Sequence, residues 1–117
     1  MQQMRLAAPP RPASGRPEEM SDGKLAALVY GHAECARGPV DPDQWFPIAS
    51  DPAKARREAA AAIAVCGSCP VRAQCLELSF RHHPGFGAHG VWGGLVESDR
   101  QRRRRRWRRG IAVTKLL

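Results

Sequence analysis

The sequence predicts a small all-α domain, and two observations lead to that prediction. Asp51 followed by Pro52 is a strong helix start, and the alanine-rich run that continues to Val65 has very high helix propensity. A second helix is predicted from Cys69-Pro70 to about His82. The folded unit is expected to span residues 24–96, because residues 1–23 begin with a Pro-, Ala-, Arg- and Gly-rich stretch without apolar periodicity and are predicted to be disordered.

The other elements follow in chain order. Apolar residues spaced as in a helix predict a short first helix over 25–32, which delivers Cys35. Residues 36–50 contain three prolines and are expected to be irregular, with Trp45-Phe46 as an apolar pair. In the alanine-rich helix one stripe faces inward, formed by Ala55, Ala59, Ala62, Ile63 and Cys66. A last helix is predicted from about Glu97 to Arg109, but it is basic on nearly every side and has little to pack against.

The four cysteines are expected to supply the cross-link that stabilises this small unit. A domain of roughly 70 residues seldom folds by apolar burial alone. The sequence shows neither a signal peptide nor a membrane span, so we expect a cytoplasmic protein, in which clustered cysteines are metal ligands or redox thiols more often than disulfides. Cys69 and Cys75 are six residues apart, which is about 240° around a helix, so their thiols could not converge if both were regular helical residues. Cys69 must therefore lie in the turn between the two predicted helices.

The spacing of the cysteines leaves three kinds of site open. Cys35, Cys66, Cys69 and Cys75 could bind an iron–sulfur cluster or a zinc ion, and spacing alone favours neither. The third alternative is an enzyme, a thiol–disulfide oxidoreductase that uses Cys66-Gly67-Ser68-Cys69 at a helix N-terminus. No βαβ pattern surrounds that motif, and two further cysteines are present, which argues against the enzyme.

The net charge of +8 is concentrated at one end of the chain. Residues 1–99 carry ten Lys/Arg and eleven Asp/Glu, whereas residues 100–117 carry nine basic residues and no acidic ones. The run from 100 to 109 predicts phosphate contacts with DNA, because arginine binds phosphate bidentately and like charges at this density repel one another unless neutralised. The arginines concerned are Arg100, Arg102, Arg103, Arg104, Arg105, Arg106, Arg108 and Arg109. A solvated tail without a defined partner is the alternative.

A glycine-rich segment follows the second predicted helix. Residues 90–94 read Gly-Val-Trp-Gly-Gly and are expected to turn tightly, with glycines at positive φ. The residues alone leave two roles open for Trp92, a core side chain under the turn or an exposed anchor for a partner.

The cysteine order and this turn together resemble the WhiB-like (Wbl) family of bacterial iron–sulfur transcription regulators. The acidic-aromatic segment 41–47 is also similar to one in that family. The resemblance implies one [4Fe–4S] cluster on the four cysteines, reactive toward nitric oxide and oxygen, in a small helical domain wrapped around it. It also implies docking on region 4 of the principal sigma factor of RNA polymerase. The residues implied in docking are Trp45, Phe46, Gly90, Val91, Trp92, Gly93 and Gly94.

Two departures from the family pattern concern the interfaces. The basic run lacks the Arg-Gly-Arg-Pro hook that some members carry, and no tryptophan precedes the first cysteine, where Leu28 and Tyr30 lie instead.

Taken together, the sequence and the resemblance lead us to expect a non-enzymatic transcriptional regulator with a domain at 24–96 and a DNA-binding tail at 97–117, without a membrane partner or small-molecule substrate. Cluster loss is expected to free thiols that can form disulfides such as Cys66–Cys69.

Overall fold

Helices account for the regular structure of the residues that the computed structural model describes, which are 15–37, 41–82 and 89–117. The five α-helices are α1 (Asp22–His32), α2 (Pro52–Glu58), α3 (Ala60–Gly67), α4 (Arg72–His82) and α5 (Glu97–Arg108). Short 3₁₀ turns lie at Pro17–Glu19, Glu34–Ala36, Pro42–Trp45 and Val113–Lys115. These ranges contain no β-strand, only an isolated bridge between Trp92 and Leu95. The predicted all-α class is confirmed, and no helix in these ranges has the length and apolar character needed to cross a membrane.

The alanine-rich segment forms two helices where the sequence predicted one. Asp51 caps α2 by accepting a hydrogen bond from Lys54 N at 2.9 Å, as expected. At Ala59 the backbone leaves helical geometry, with φ −100° and ψ 14°. The kink leaves the inward stripe intact, because Ala55, Ala59, Ala62 and Cys66 are buried in one cluster with Val91 and Val96. The helix is thus broken at a fully buried alanine, where helix propensity alone predicts continuity.

Residues 17–23 are ordered, so the prediction of disorder is wrong for this part of the N-terminal segment. Pro17 and Met20 are buried, and Ser21 accepts a hydrogen bond from Lys24 N to cap α1. Arg81 on α4 holds the segment by donating to the carbonyl oxygens of Met20 at 2.6 Å and Pro17 at 3.0 Å. A cation from a distant helix satisfies these carbonyls, which local composition cannot reveal. Residues 1–14 lie outside the described residues.

The basic helix α5 is part of the same core, contrary to the prediction that it has little to pack against. The Trp107 ring lies 5.5 Å from the ring of Phe80 on α4, and Arg104 Nε donates to the Phe80 carbonyl at 2.9 Å. Beyond α5 the chain returns to this cluster, where Val113 and Leu116 are buried. Residues 97–117 therefore extend the helical domain instead of forming a separate tail, because arginine side chains find backbone acceptors on their inner face.

Candidate cysteine site

The four cysteines line a single cavity of about 380 Å³. Cys35 lies on the 3₁₀ turn that follows α1, Cys66 in the last turn of α3, and Cys75 in the first turn of α4. Cys69 lies between α3 and α4, as predicted, and its N–H donates to the Cys66 carbonyl at 3.1 Å. The tight turn folds the Cys66–Cys69 pair back toward the start of α4. All four are free thiols.

Removal from water disfavours the charged form of three of these thiols. It raises the pKa of Cys75 to about 12, and it also raises the pKa values of Cys66 and Cys35. The neighbouring cysteines add to the increase, since negative charges would repel one another. A positively charged centre among them would reverse this balance, because metal-bound thiols ionise. The chemistry of four thiol donors thus suits an iron–sulfur cluster.

No three His, Cys, Asp or Glu side chains within 15–37, 41–82 and 89–117 are arranged so that they could hold a single metal ion. The four cysteines instead line one cavity together with aromatic and glycine residues. The apolar members of this wall include Val29, Ala33 and Val65.

The glycine turn closes one side of the cavity and directs backbone amides at two of the sulfurs. The N–H of Gly94 donates toward the Cys66 thiol, and that of Gly93 toward the Cys75 thiol, and both contacts oppose the rise in pKa. Gly93 has φ +58°, and a Cβ there would lie 2.8 Å from Leu76 Cβ. The sequence predicted a tight turn, but it did not predict amides aimed at the cysteines. Positive φ in a glycine-dense segment near the ligands was the available signal.

The residues expected to contact a partner are divided between the wall and the rim of this cavity. Val91 is buried, and its N–H donates to the Trp45 carbonyl at 2.8 Å, which ties the aromatic loop to the turn. Trp45 is half-buried and Phe46 is 60% exposed. Tyr30, 73% exposed, also lines this cavity and was noted in the sequence only as lying where family members have a tryptophan.

Trp92 combines the two roles that the sequence left open. Its side chain packs against the cluster of Met20, Leu25, Val29 and Leu78, and its Nε1 donates to the His89 carbonyl at 3.1 Å. The residue remains half-exposed and lines the cysteine cavity. Trp92 is therefore both a packing residue and part of an accessible apolar surface.

Comparison with known proteins identifies the family. The family model described as "Transcription factor WhiB" matches residues 30–103, which include the four cysteines, the turn and the start of the arginine run. The chain belongs to the WhiB family. It is thus a member of a family of transcription factors, as the resemblance predicted.

Several curated WhiB-family proteins are similar to this chain. Transcriptional regulator WhiB2 of Mycobacterium tuberculosis is 40% identical over 79 residues, which are 68% of this chain and 72% of the relative. Transcriptional regulator WhiB1 of the same organism is 41% identical over 75 residues, 63% of this chain and 83% of the relative. WhiB of Streptomyces coelicolor is 39% identical over 70 residues, 60% and 68% of the two chains. No solved structure matches.

The arginine run of this WhiB-family chain has an inner and an outer face. Arg100 is buried, and its Nη2 donates to the Gly90 carbonyl at 2.6 Å, so it does not belong to the surface predicted to contact DNA. Arg104 is half-buried with its guanidinium 5.9 Å from the Trp107 ring. The remaining arginines of the run are exposed or half-exposed: Arg102, Arg103, Arg105, Arg106, Arg108 and Arg109.

Asp99 anchors the start of α5. Its carboxylate accepts hydrogen bonds from Arg56 Nε at 2.8 Å and from Arg102 Nη2 at 2.6 Å. The bond from Arg56 is the main reason that the pKa of Asp99 lies below its usual value, with further contributions from the nearby positive charges. Asp99 therefore joins α2 to the first turns of the arginine-rich helix α5.

Proposed function

We propose that this WhiB-family chain regulates transcription through one [4Fe–4S] cluster bound by Cys35, Cys66, Cys69 and Cys75. The observation that carries the proposal is that all four cysteines line one cavity, which the glycine turn from Gly90 to Gly93 also lines. Amide hydrogen bonds to sulfur are a common means of stabilising and tuning such clusters. The donor set consists only of thiols, which suits iron–sulfur chemistry.

The protein contributes binding, shielding and charge balance. When bound, the cluster would supply a centre that reacts with nitric oxide and oxygen, and a [4Fe–4S]²⁺ core held by four thiolates has a net charge of about −2. Arg72 lies close enough to favour the charged form of Cys66, and its Nε donates to the Gly93 carbonyl at 2.9 Å. Loss of the cluster would remove a cross-link between the turn after α1, α3 and α4, which is the proposed basis of the response to these gases.

Docking on sigma factor region 4 is the proposed use of the apolar rim of the cavity. Phe46 and Tyr30 present exposed aromatic surface, and Trp92 lines the same cavity. Aromatic side chains grouped around a concave site are typical of protein interfaces. Phe46→Ala should abolish co-purification with the sigma factor while the visible absorption of the cluster is unchanged. Retention of sigma binding by this variant would argue against the rim as the docking surface.

DNA contact is proposed for the outer face of α5. Arg102, Arg105 and Arg106 follow the spacing i, i+3, i+4, which places them on one side of the helix, and Arg109 continues this spacing at the C-cap directly after it. Phosphate contacts of this kind position a protein on DNA without reading its sequence, so promoter choice is assigned mainly to the sigma factor.

Anaerobic purification followed by assays of iron, acid-labile sulfide and zinc tests the proposal. About four irons and four sulfides per chain, with visible absorption, are expected for a four-cysteine cluster. One zinc without sulfide would refute the cluster and leave a zinc-stapled DNA-binding module. The Cys75→Ser variant separates the cluster from the oxidoreductase alternative. It should lose iron, whereas retained disulfide reductase turnover in this variant would support the enzyme.

A further inference from the structure

The side chain of Arg100 extends from α5 into the protein. It is 4% exposed, and its Nη2 donates to the Gly90 carbonyl at 2.6 Å. Gly90 lines the cysteine cavity. A guanidinium keeps its positive charge in proteins. The first arginine of the basic run therefore brings a buried cation next to the cysteine site, and its neighbours on the outer face do not.

The turn at residues 90–94 is held at both ends. At its start the Gly90 carbonyl accepts the bond from Arg100, and at its end Gly93 lines the cavity close to Leu76, where its amide and that of Gly94 oppose the rise in the pKa values of Cys75 and Cys66. The turn spans only five residues, so a displacement of the Gly90 carbonyl would be transmitted to both amides. Trp92 and Leu95 close the turn with two backbone hydrogen bonds of 3.1 and 3.0 Å, which makes it a stiff connection.

The charge of Arg100 also lies beside the cysteine site. Its guanidinium is bonded to the carbonyl of Gly90, which lines the cavity together with the four cysteines. Arg72 also lines this cavity, and its Nε donates to the Gly93 carbonyl at 2.9 Å. Two arginines from different helices thus flank a group of cysteines that would be strongly negative when ionised.

We propose that Arg100 is a positioning residue of the cysteine site, which holds the 90–94 turn against the sulfurs and offsets their negative charge. The inference rests on the proposed function, since the charge to be offset is that of the cluster with its thiolates. It also gives the basic helix a second role. Arg100 belongs to α5 and bonds to the turn, so one side chain joins the arginine-rich helix to the wall of the cysteine cavity.

Three variants of the full chain, purified anaerobically, test the role of Arg100. Arg100→Gln removes the charge, Arg100→Lys keeps it on a shorter side chain without the forked donor, and Arg57→Gln, at an exposed arginine on α2, is the matched control. Arg100→Gln should release iron to a ferrous chelator about tenfold faster than the parent, as expected for loss of a group that supports metal ligands. Its reduction potential should become more negative, because the reduced cluster carries the additional negative charge. Arg100→Lys should keep a potential close to that of the parent.

Hydrogen exchange of a peptide covering residues 90–94, measured on the full chain as purified, tests the positioning role by itself. Exchange should increase in Arg100→Gln and Arg100→Lys and be unchanged in Arg57→Gln. Parental exchange in Arg100→Lys would overturn the proposal, even if Arg100→Gln did not fold. A parental potential and iron-release rate in Arg100→Gln would overturn the charge-balancing role. If the parent contained no iron or sulfide, the proposed function would fail, and exchange would still test whether Arg100 holds the turn.

Discussion

The indole Nε1 of Trp107 donates a hydrogen bond to Glu77 Oε1 at 3.0 Å. Glu77 is only 2% exposed, and its other oxygen accepts from Arg81 Nε at 2.8 Å. Arg81 in turn binds the carbonyl oxygens of Pro17 and Met20. A single buried carboxylate on α4 therefore connects the N-terminal segment to the basic helix.

Glu77→Ala should lower the free energy of unfolding by roughly 2–3 kcal/mol, because it removes two hydrogen bonds and leaves Arg81 without its buried partner. Urea unfolding of the full chain under anaerobic conditions measures the change. Glu19→Ala is the control, since Glu19 is exposed and its nearest cation, on Arg16, is 3.9 Å away. Equal stability of the two variants would mean that the Glu77 connection contributes nothing.

Gly93→Ala should destabilise the protein more than Gly110→Ala. Both glycines have positive φ, +58° and +100°, so each alanine should incur a conformational cost of about 1–2 kcal/mol. Only at Gly93 would the new Cβ meet other atoms, 2.8 Å from Leu76 Cβ, whereas nothing lies within 4 Å at Gly110. Crowding of this kind adds roughly 1–3 kcal/mol. Urea unfolding of both variants gives the difference, and equal losses would contradict the close approach of the turn to α4.

Asp99 should make stability fall in acid. Its hydrogen bond from Arg56 lowers its pKa in the folded chain, so the stabilisation is complete above the unfolded pKa, about 3.9, and is lost as the pH falls through the lower folded value. The difference in unfolding free energy between the parent and Asp99→Asn should therefore be constant from pH 7 to about 5 and shrink below pH 4. The two chains contain the same cysteines, so their difference isolates Asp99. A difference that grew in acid would contradict the lowered pKa.

Arg105→Gln and Arg106→Gln should each reduce the salt dependence of DNA binding. Every phosphate contact contributes about 0.9 to the slope of log K against log salt, so each variant should flatten the slope by about that amount. Fluorescence anisotropy with a labelled duplex at several salt concentrations measures it. Arg57→Gln is the control, as Arg57 is an exposed arginine on α2. A slope unchanged in both α5 variants would exclude the outer face as the phosphate-binding surface.

Local chemistry explains which parts of the fold were predictable. The start of α2 at Asp51-Pro52 depends on a cap and a proline that act within one turn, and the position of Cys69 follows from helical geometry. The inward stripe of α2 and α3 was likewise correct, because apolar periodicity is a property of the segment itself.

The errors concern interactions between residues far apart in the chain. Arg81 binds Met20 across 61 residues, so the order of residues 17–23 depends on a partner that composition does not identify. The arginines of the run are chemically alike, and only the docking of α5 on Phe80 and Gly90 distinguishes its faces. The directions of the Gly93 and Gly94 amides required the three-dimensional path of the turn.

Truncating the chain does not by itself identify the residues that bind DNA, because residues near its end, such as Val113 and Leu116, are part of the core. A chain cut before the arginine run would lose Trp107, Val113 and Leu116 along with the cations, and these side chains fill the cluster around Leu76 and Phe80. Such a fragment would expose an apolar cavity and lose the anchor at Gly90. Loss of DNA binding in a truncated chain would then report misfolding as readily as missing phosphate contacts. Charge-removing substitutions on the outer face are the variants that separate the two.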